Sequence, residues 1–176
     1  KSPYRKVDLI YAPGYEFGET DIILRVVDAN PFWYYIGYEN SGTEVLGEDR
    51  FLAGFNWGDM FGPDQGLSYQ LTTDFEFSNV IGHSLVYQGG LPWRHWLTIL
   101  GSYVTVDAEI PVGDGTFVKT GGENTQGSLR YGIPLSAPGG QVREFQMGFD
   151  YKSSNNNLEF GGQDVFDTTT EIFQFM

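Results

Sequence analysis

Phe145-Gln146-Met147-Gly148-Phe149-Asp150-Tyr151-Lys152 is the stretch on which the fold class turns. Its odd positions carry Phe, Met, Phe and Tyr, and its even positions carry Gln, Gly, Asp and Lys. A period of two separates these sets onto opposite faces only if the backbone is extended, so the segment reads as a strand with one apolar side. The division recurs upstream. Tyr34, Ile36 and Tyr38 stand against Tyr35, Gly37 and Glu39; Phe51, Ala53, Phe55 and Trp57 against Leu52, Gly54, Asn56 and Gly58; Leu67, Tyr69 and Leu71 against Ser68, Gln70 and Thr72. Further strands are expected at about 94–107, 125–135 and 167–176. No segment sustains apolar residues at helical spacing, and Gly, Pro and Asn break the chain about every dozen residues, so it reads as all-β.

Alternation alone also describes a two-sheet sandwich. The second face favours a membrane barrel, because it is rich in Gly, Ser, Thr, Asn and Gln and poor in Lys and Glu, as a crowded wet lumen would be. Connections alternate as well. Met60–Asp64, Leu91–Trp93 and Leu135–Gly140 read as tight turns. Ser41–Asp49, Phe75–Gly82, Asp107–Asn124 and Ser153–Phe166 read as longer polar loops, an asymmetry that outer-membrane barrels share. No apolar run approaches the roughly 20 residues of a membrane helix, which does not bear on strands of about 9 to 11.

The 176 residues include 24 glycines, 14 Phe, 11 Tyr, 4 Trp and no Cys, with a net charge of -13. Ten Lys and Arg spread along an acidic chain argue against nucleic acid as a partner. Absence of Cys removes disulfides and thiolate metal sites. Glu48/Asp49 and Glu16/Glu19 have no neighbouring nucleophile or base and read as solvated turn charge, so no catalytic residue is expected. His83 and His95, both assigned to strands, lack the further ligands a zinc site needs. Gly113-Asp114-Gly115 and Gly121-Gly122 lack the Gly-Lys-Ser/Thr ending and following helix of a phosphate cradle. Asp107, Glu109, Asp114, Glu123, Asp164 and Asp167 supply hard oxygens at spacings that fit no calcium loop. No cofactor or metal is expected, and Asn155-Asn156-Asn157 reads as surface loop.

Two sets of residues carry the functional expectation. Glu39, Gln70, Asp150 and Lys152 fall on the polar face and are candidate contacts for a polypeptide in transit. Trp33, Tyr34, Trp57, Trp93 and Trp96 are candidate membrane-interface aromatics, since amphipathic rings favour the boundary between lipid and water. Residues 1–28 differ from the rest. Val7–Ala12 and Asp21–Val27 read as two strands joined at 13–18, and Ile22–Val27 is so continuously apolar that it reads as a strand buried in a small soluble domain.

The order of several short motifs adds a family. Gly18-Glu19-Thr20-Asp21-Ile22-Ile23-Leu24-Arg25-Val26, Tyr38-Glu39-Asn40-Ser41-Gly42, Gly47-Glu48-Asp49-Arg50, Gly54-Phe55-Asn56-Trp57-Gly58, His83-Ser84 with Tyr87, Leu91-Pro92-Trp93-Arg94 and Gly101-Ser102-Tyr103 follow one another. Ser154-Asn155-Asn156-Asn157-Leu158 and Phe160-Gly161-Gly162 are later echoes. In this order they resemble the haemolysin secretion/activation proteins, the outer-membrane transporters of two-partner secretion within the Omp85 superfamily. Gly66 departs from the family by interrupting its Asp-Gln-Leu-Ser run. The resemblance implies an antiparallel transmembrane β-barrel of sixteen strands behind periplasmic POTRA domains. Residues 1–28 would then end a POTRA domain, and 29–176 would supply about eight strands, the first half of the barrel, without the family's inward-folded loop. It implies an outer-membrane pore with its N-terminal segment in the periplasm, a secreted partner polypeptide and membrane lipid as partners, and no ATP. An Omp85-type factor that inserts other barrels, a small complete barrel of about eight strands and a soluble glycan-binding sandwich are the alternatives. The sandwich would bury Phe145, Met147, Phe149 and Tyr151 between sheets.

Overall fold

The structure is a computed structural model describing residues 4–113, 115–136, 139, 141, 143–160 and 162–176. The strand–turn signals fold into ten antiparallel strands, β1 (Arg5–Pro13), β2 (Thr20–Asp28), β3 (Phe32–Glu39), β4 (Arg50–Gly58), β5 (Gln65–Asp74), β6 (Val80–Gly90), β7 (Trp96–Gly113), β8 (Thr116–Leu135), β9 (Arg143–Phe160) and β10 (Gln163–Phe175). β1 and β2 form a hairpin of their own, and β3 to β10 form one eight-stranded sheet in strict sequence order. Every partner in the large sheet is the next strand along the chain, which is the connectivity of an up-and-down barrel. The sheet is open among the described residues, with β3 and β10 at its edges.

The register turns the alternation into two continuous surfaces. One row crosses all eight strands as Phe32, Trp57, Leu67, Tyr87, Ile99, Leu129, Phe149 and Phe175. The opposite face carries Tyr35, Gly54, Gln70, Ser84, Ser102, Gln126, Lys152 and Ile172. Rings on the apolar face touch across strands, with centroids 5.8 Å apart for Phe55–Tyr69, 5.1 Å for Phe149–Phe175 and 5.0 Å for Tyr151–Phe173. Among the described residues nothing covers this face: Tyr34 is 76% exposed, Ile36 69% and Phe173 60%. A sandwich needs a second sheet over Phe145 and Met147, and both are exposed. A single sheet with one bare apolar face and one polar face is a membrane-barrel wall, whose apolar face lipid would cover.

Two long loops of the sequence reading are strands instead. Asp107–Asn124 continues β7 and β8, of 18 and 20 residues, and Ser153–Phe166 continues β9 into β10. These stretches are rich in Gly, Asn, Asp and Glu. Their apolar residues Ala108, Ile110, Val118, Leu158 and Phe160 stand on the face of Gln126 and Lys152, so the outer apolar row that marks the lower strands does not continue through them. A 20-residue strand is about 65 Å long, whereas a barrel's apolar band is about 25 Å tall, so the hairpins run on past it. The outer face records the crossing: Phe145, Met147, Phe149 and Tyr151 give way to Ser153, Asn155, Asn157 and Glu159 along β9. Of the other connections, Met60–Asp64 and Leu91–Trp93 are turns as expected, and Ser41–Asp49 is a loop closed by a Thr43–Gly47 bridge. Much of the Leu135–Gly140 turn, Asp114 of the proposed oxygen set and Gly161 of the late echo lie outside the described residues. His95 stands in the turn before β7 rather than on a strand, and Gly66 pairs in regular register with Gly58 and Gln88.

In the β1–β2 hairpin, Val7, Leu9 and Tyr11 oppose Val26, Leu24 and Ile22. The expected buried strand is exposed along its whole length here, because a lone pair of strands has no layer to bury it against. Arg5 closes the open end of the hairpin on Asp28 with two bonds of 2.7 and 3.3 Å. That contact holds the Asp28 carboxyl below its ordinary range.

Candidate functional site

The polar face is where side chains are placed to meet a solute. Glu39, Gln70, Asp150 and Lys152 all register on it, spread from β3 to β9. Gln70 and Lys152 share one row, Asp150 lies one row away, and Glu39 stands at the end of β3 beside Arg50. The four therefore line one surface without forming a cluster.

Each is held by neighbours. Gln70 Oε1 accepts from the Tyr35 hydroxyl at 2.7 Å, and its amide donates to Thr72 at 3.2 Å. Both carboxylate oxygens of Asp150 accept from Arg130 Nη2, at 2.8 and 2.7 Å, and Nη1 of the same arginine donates to the carbonyls of Leu129 and Phe149. A two-pronged contact fixes orientation as well as charge. Glu39 accepts from the Ser41 hydroxyl at 2.9 Å. Lys152 lines a hollow of ≈ 340 Å³ with Ser102, Asn124, Gln126, Ser154 and Thr170, and with Val104 and Ile172 as its apolar part. Short hydroxyls and amides around one ammonium can exchange hydrogen bonds with a passing backbone without committing to a side chain.

The five ring residues divide. Tyr34 and Trp57 stand on the apolar face, Trp57 edge-on to Phe32 at 5.8 Å. Trp33 and Trp96 register on the polar face, so they are not turned toward lipid. Trp96 lies across Gly132, in the space a Cβ there would need. Trp93 is in the turn before β7, where its indole N–H and His95 both bond the Tyr131 hydroxyl, at 2.9 and 2.6 Å. His83 meets the Tyr69 hydroxyl at 2.8 Å on the apolar face. Among the described residues, no three His, Asp or Glu side chains converge closely enough to hold a metal ion. Glu109 instead pairs with Lys119 at 2.7 Å.

Sequence reasoning missed Arg130, Tyr35 and Arg50. Arg130 and Tyr35 fall on the polar alternation and were legible as such; their cross-strand partners were not, lying 20 and 35 residues away. Arg50 ends the 41–49 loop and is 8% exposed. Its Nη1 donates to the carbonyls of Leu46, Gly47 and Asp49 at 3.1, 2.8 and 3.0 Å. Asp49, in the same loop, accepts from the Tyr38 hydroxyl at 2.6 Å and the Asn40 amide at 3.1 Å, which hold its carboxyl below the usual range.

Compared with curated proteins, the chain has no match. The family described as Haemolysin secretion/activation protein ShlB/FhaC/HecB matches residues 18–165, the greater part of the chain. That span runs from the β1–β2 turn to the start of β10 and takes in the whole of β2 to β9. With the strand order, the bare apolar face and the polar lining already in place, the chain belongs to the haemolysin secretion/activation family, outer-membrane transporters of Gram-negative bacteria that act on a partner exoprotein in two-partner secretion.

Proposed function

We propose that this chain forms part of the wall of a passage through which an extended partner polypeptide crosses the outer membrane, from the periplasm to the cell surface. The observation that carries the reading is a mainly polar face, backed on the same strands by an uncovered apolar one. The turn ends of β3–β10 face the periplasm on this reading, and the β1–β2 hairpin completes a POTRA domain there. No nucleotide is consumed. Direction comes from folding of the client outside, which removes it from the exchange.

Glu39, Gln70, Asp150 and Lys152 touch the client in transit. With a photo-crosslinking residue at each position in turn, a client stalled during secretion becomes covalently attached to the polar face; the same residue at Tyr69 or Tyr151 gives lipid adducts. Client adducts from the apolar positions, or none from the four polar ones, would sink the assignment. A combined Glu39→Lys, Lys152→Glu variant, which leaves the Arg130–Asp150 pair in place, slows secretion while leaving the amount of folded protein in the membrane unchanged. Normal secretion by that variant would remove the contacts while leaving the barrel intact.

A further inference from the structure

We infer that Arg50 is a positioning residue that holds the 41–49 loop as a strap folded inward across the polar face, where it narrows the passage proposed above, and the inference rests on that reading. The loop joins β3 to β4, yet its tip faces strands much further round the sheet. Thr43, Val45 and Leu46 form one side of a cavity of ≈ 320 Å³, and Val106, Ala108, Thr120 and Asn156 form the other. β4 and β8 are separated by three intervening strands, about 19 Å measured along a sheet at ordinary strand spacing. The loop therefore crosses the chord of a curved sheet.

The far wall agrees with a strap above it. Ala108 is the only buried apolar residue among those described, at 6% exposed, although it lies in the part of β7 beyond the apolar band. Val106 precedes it on the same face and Thr120 is its partner on β8, where Gly122 leaves room that any side chain would fill against the Asn155 carbonyl.

The strap is closed on itself. Gly42 N–H donates to the Glu48 carbonyl at 2.8 Å, and Leu46 N–H to the Thr43 carbonyl at 3.2 Å. Gly47 has φ of 82°, a conformation that favours glycine. The guanidinium of Arg50 then ties three carbonyls of the loop to the rim of the sheet, over Asp74, its partner across the β4–β5 ladder. Asp74 is 2% exposed and spends one carboxylate oxygen on the N–H groups of Ser78, Asn79 and Val80, which fixes the next turn and gives the arginine a rigid base. One cation thus satisfies carbonyls that an inward loop would otherwise leave facing its own fold.

The test uses the intact transporter, which this chain's lack of Cys suits to engineered thiols. Cysteines are placed at Val45 and Asn156, and a short bifunctional thiol reagent is added to cells; the joined peptides are detected by mass spectrometry. The pair joins in the Arg50 protein, the yield falls severalfold in Arg50→Ala, and Arg50→Lys restores most of it. Single-channel conductance in planar bilayers rises in Arg50→Ala and stays near the starting value in Arg50→Lys. Heat-dependent gel mobility identifies any variant that fails to fold, and for those the joined pair in the Arg50 background decides alone. Absence of the joined pair, or an equal yield in folded Arg50→Ala, overturns the strap. Joining that leaves secretion untouched takes the strap off the client's route and overturns its narrowing role. Joining that stops secretion until the linker is cleaved supports it. A strap that joins as expected while the polar-face positions capture no client would be the failure of the passage reading instead.

Discussion

Gly132 has a neighbour where its side chain would be. The Trp96 indole occupies that space, the Tyr35 ring similarly overlies Gly54, and the Arg130 side chain crosses Gly148. Each pair is directly cross-strand and on the polar face. A ring laid over a bare backbone shields its ladder bonds and lets adjacent strands curve toward each other. Gly132→Val should cost about 1–3 kcal/mol by forcing the indole aside, and Trp96→Ala in the same chain should recover part of it; urea unfolding in detergent micelles measures both. Charge at residue scale has a pH signature at the hairpin. The Asp28 carboxyl, depressed mainly by the hydrogen bond from Arg5, stabilises the hairpin fully above the ordinary carboxylate value of about 3.9, and the contribution is lost as pH falls through the depressed one. The protection of β1 and β2 amides, taken relative to their intrinsic exchange at each pH, should therefore fall on acidification below about 4, and Asp28→Asn should remove most of that change. Residue type misdirected the reading of Trp33 and Trp96. As tryptophans they suggested a lipid boundary, yet alternation with Tyr34 and Leu97 already turned them to the other face; the glycine under Trp96 is 36 positions away and invisible to any local window.

At the scale of the strand, what was legible followed the membrane. β3, β4, β5 and the lower half of β9 alternate because each has lipid on one side, and the sequence marks them within a residue or two. The upper halves of β7 to β10 lose the outer apolar row, and the Gly, Asn and acidic residues among their few apolar ones made them read as loop. Their pairing nonetheless continues the ladder, Thr105 to Glu123 and Glu123 to Asn155, with register shifts near the tips at Pro111/Gly113 and Asp164/Phe166. The change of environment along one strand is open to measurement. Leu129→Arg, in the middle of the apolar rows, should destabilise folding into lipid vesicles by about 2–4 kcal/mol. Glu123→Arg, six residues along the same face, should change it little. Equal costs at the two positions would mean that the apolar band has been drawn at the wrong level.

For the whole molecule the decisive quantity is that the large sheet has two unlike faces and no second layer. Soluble β-proteins hide one face against another sheet; here the exposed side is the apolar one. Cysteines placed singly at Gln70 and Lys152 should react with a membrane-impermeant maleimide in the assembled transporter, while those at Tyr69 and Tyr151 should stay unlabelled until the membrane is dissolved. The family was legible from the order of motifs, of which Tyr38–Gly42, Gly47–Arg50 and Leu91–Arg94 sit at strand ends and turns, where backbone geometry restricts which residues fit; the two rows that define the faces follow from the register, which no motif states. Strand length also differs around the sheet, from 8 residues in β3 to 20 in β8. The tall hairpins stand some 20 Å clear of the apolar band at ordinary strand rise, stiffened by their ladder and free of the lipid that restricts the stem to apolar residues. Such stalks give an antibody or a phage a target of fixed height and shape, and they are also where substitutions cost the transporter least, so surface recognition and sequence drift should meet on the same few residues.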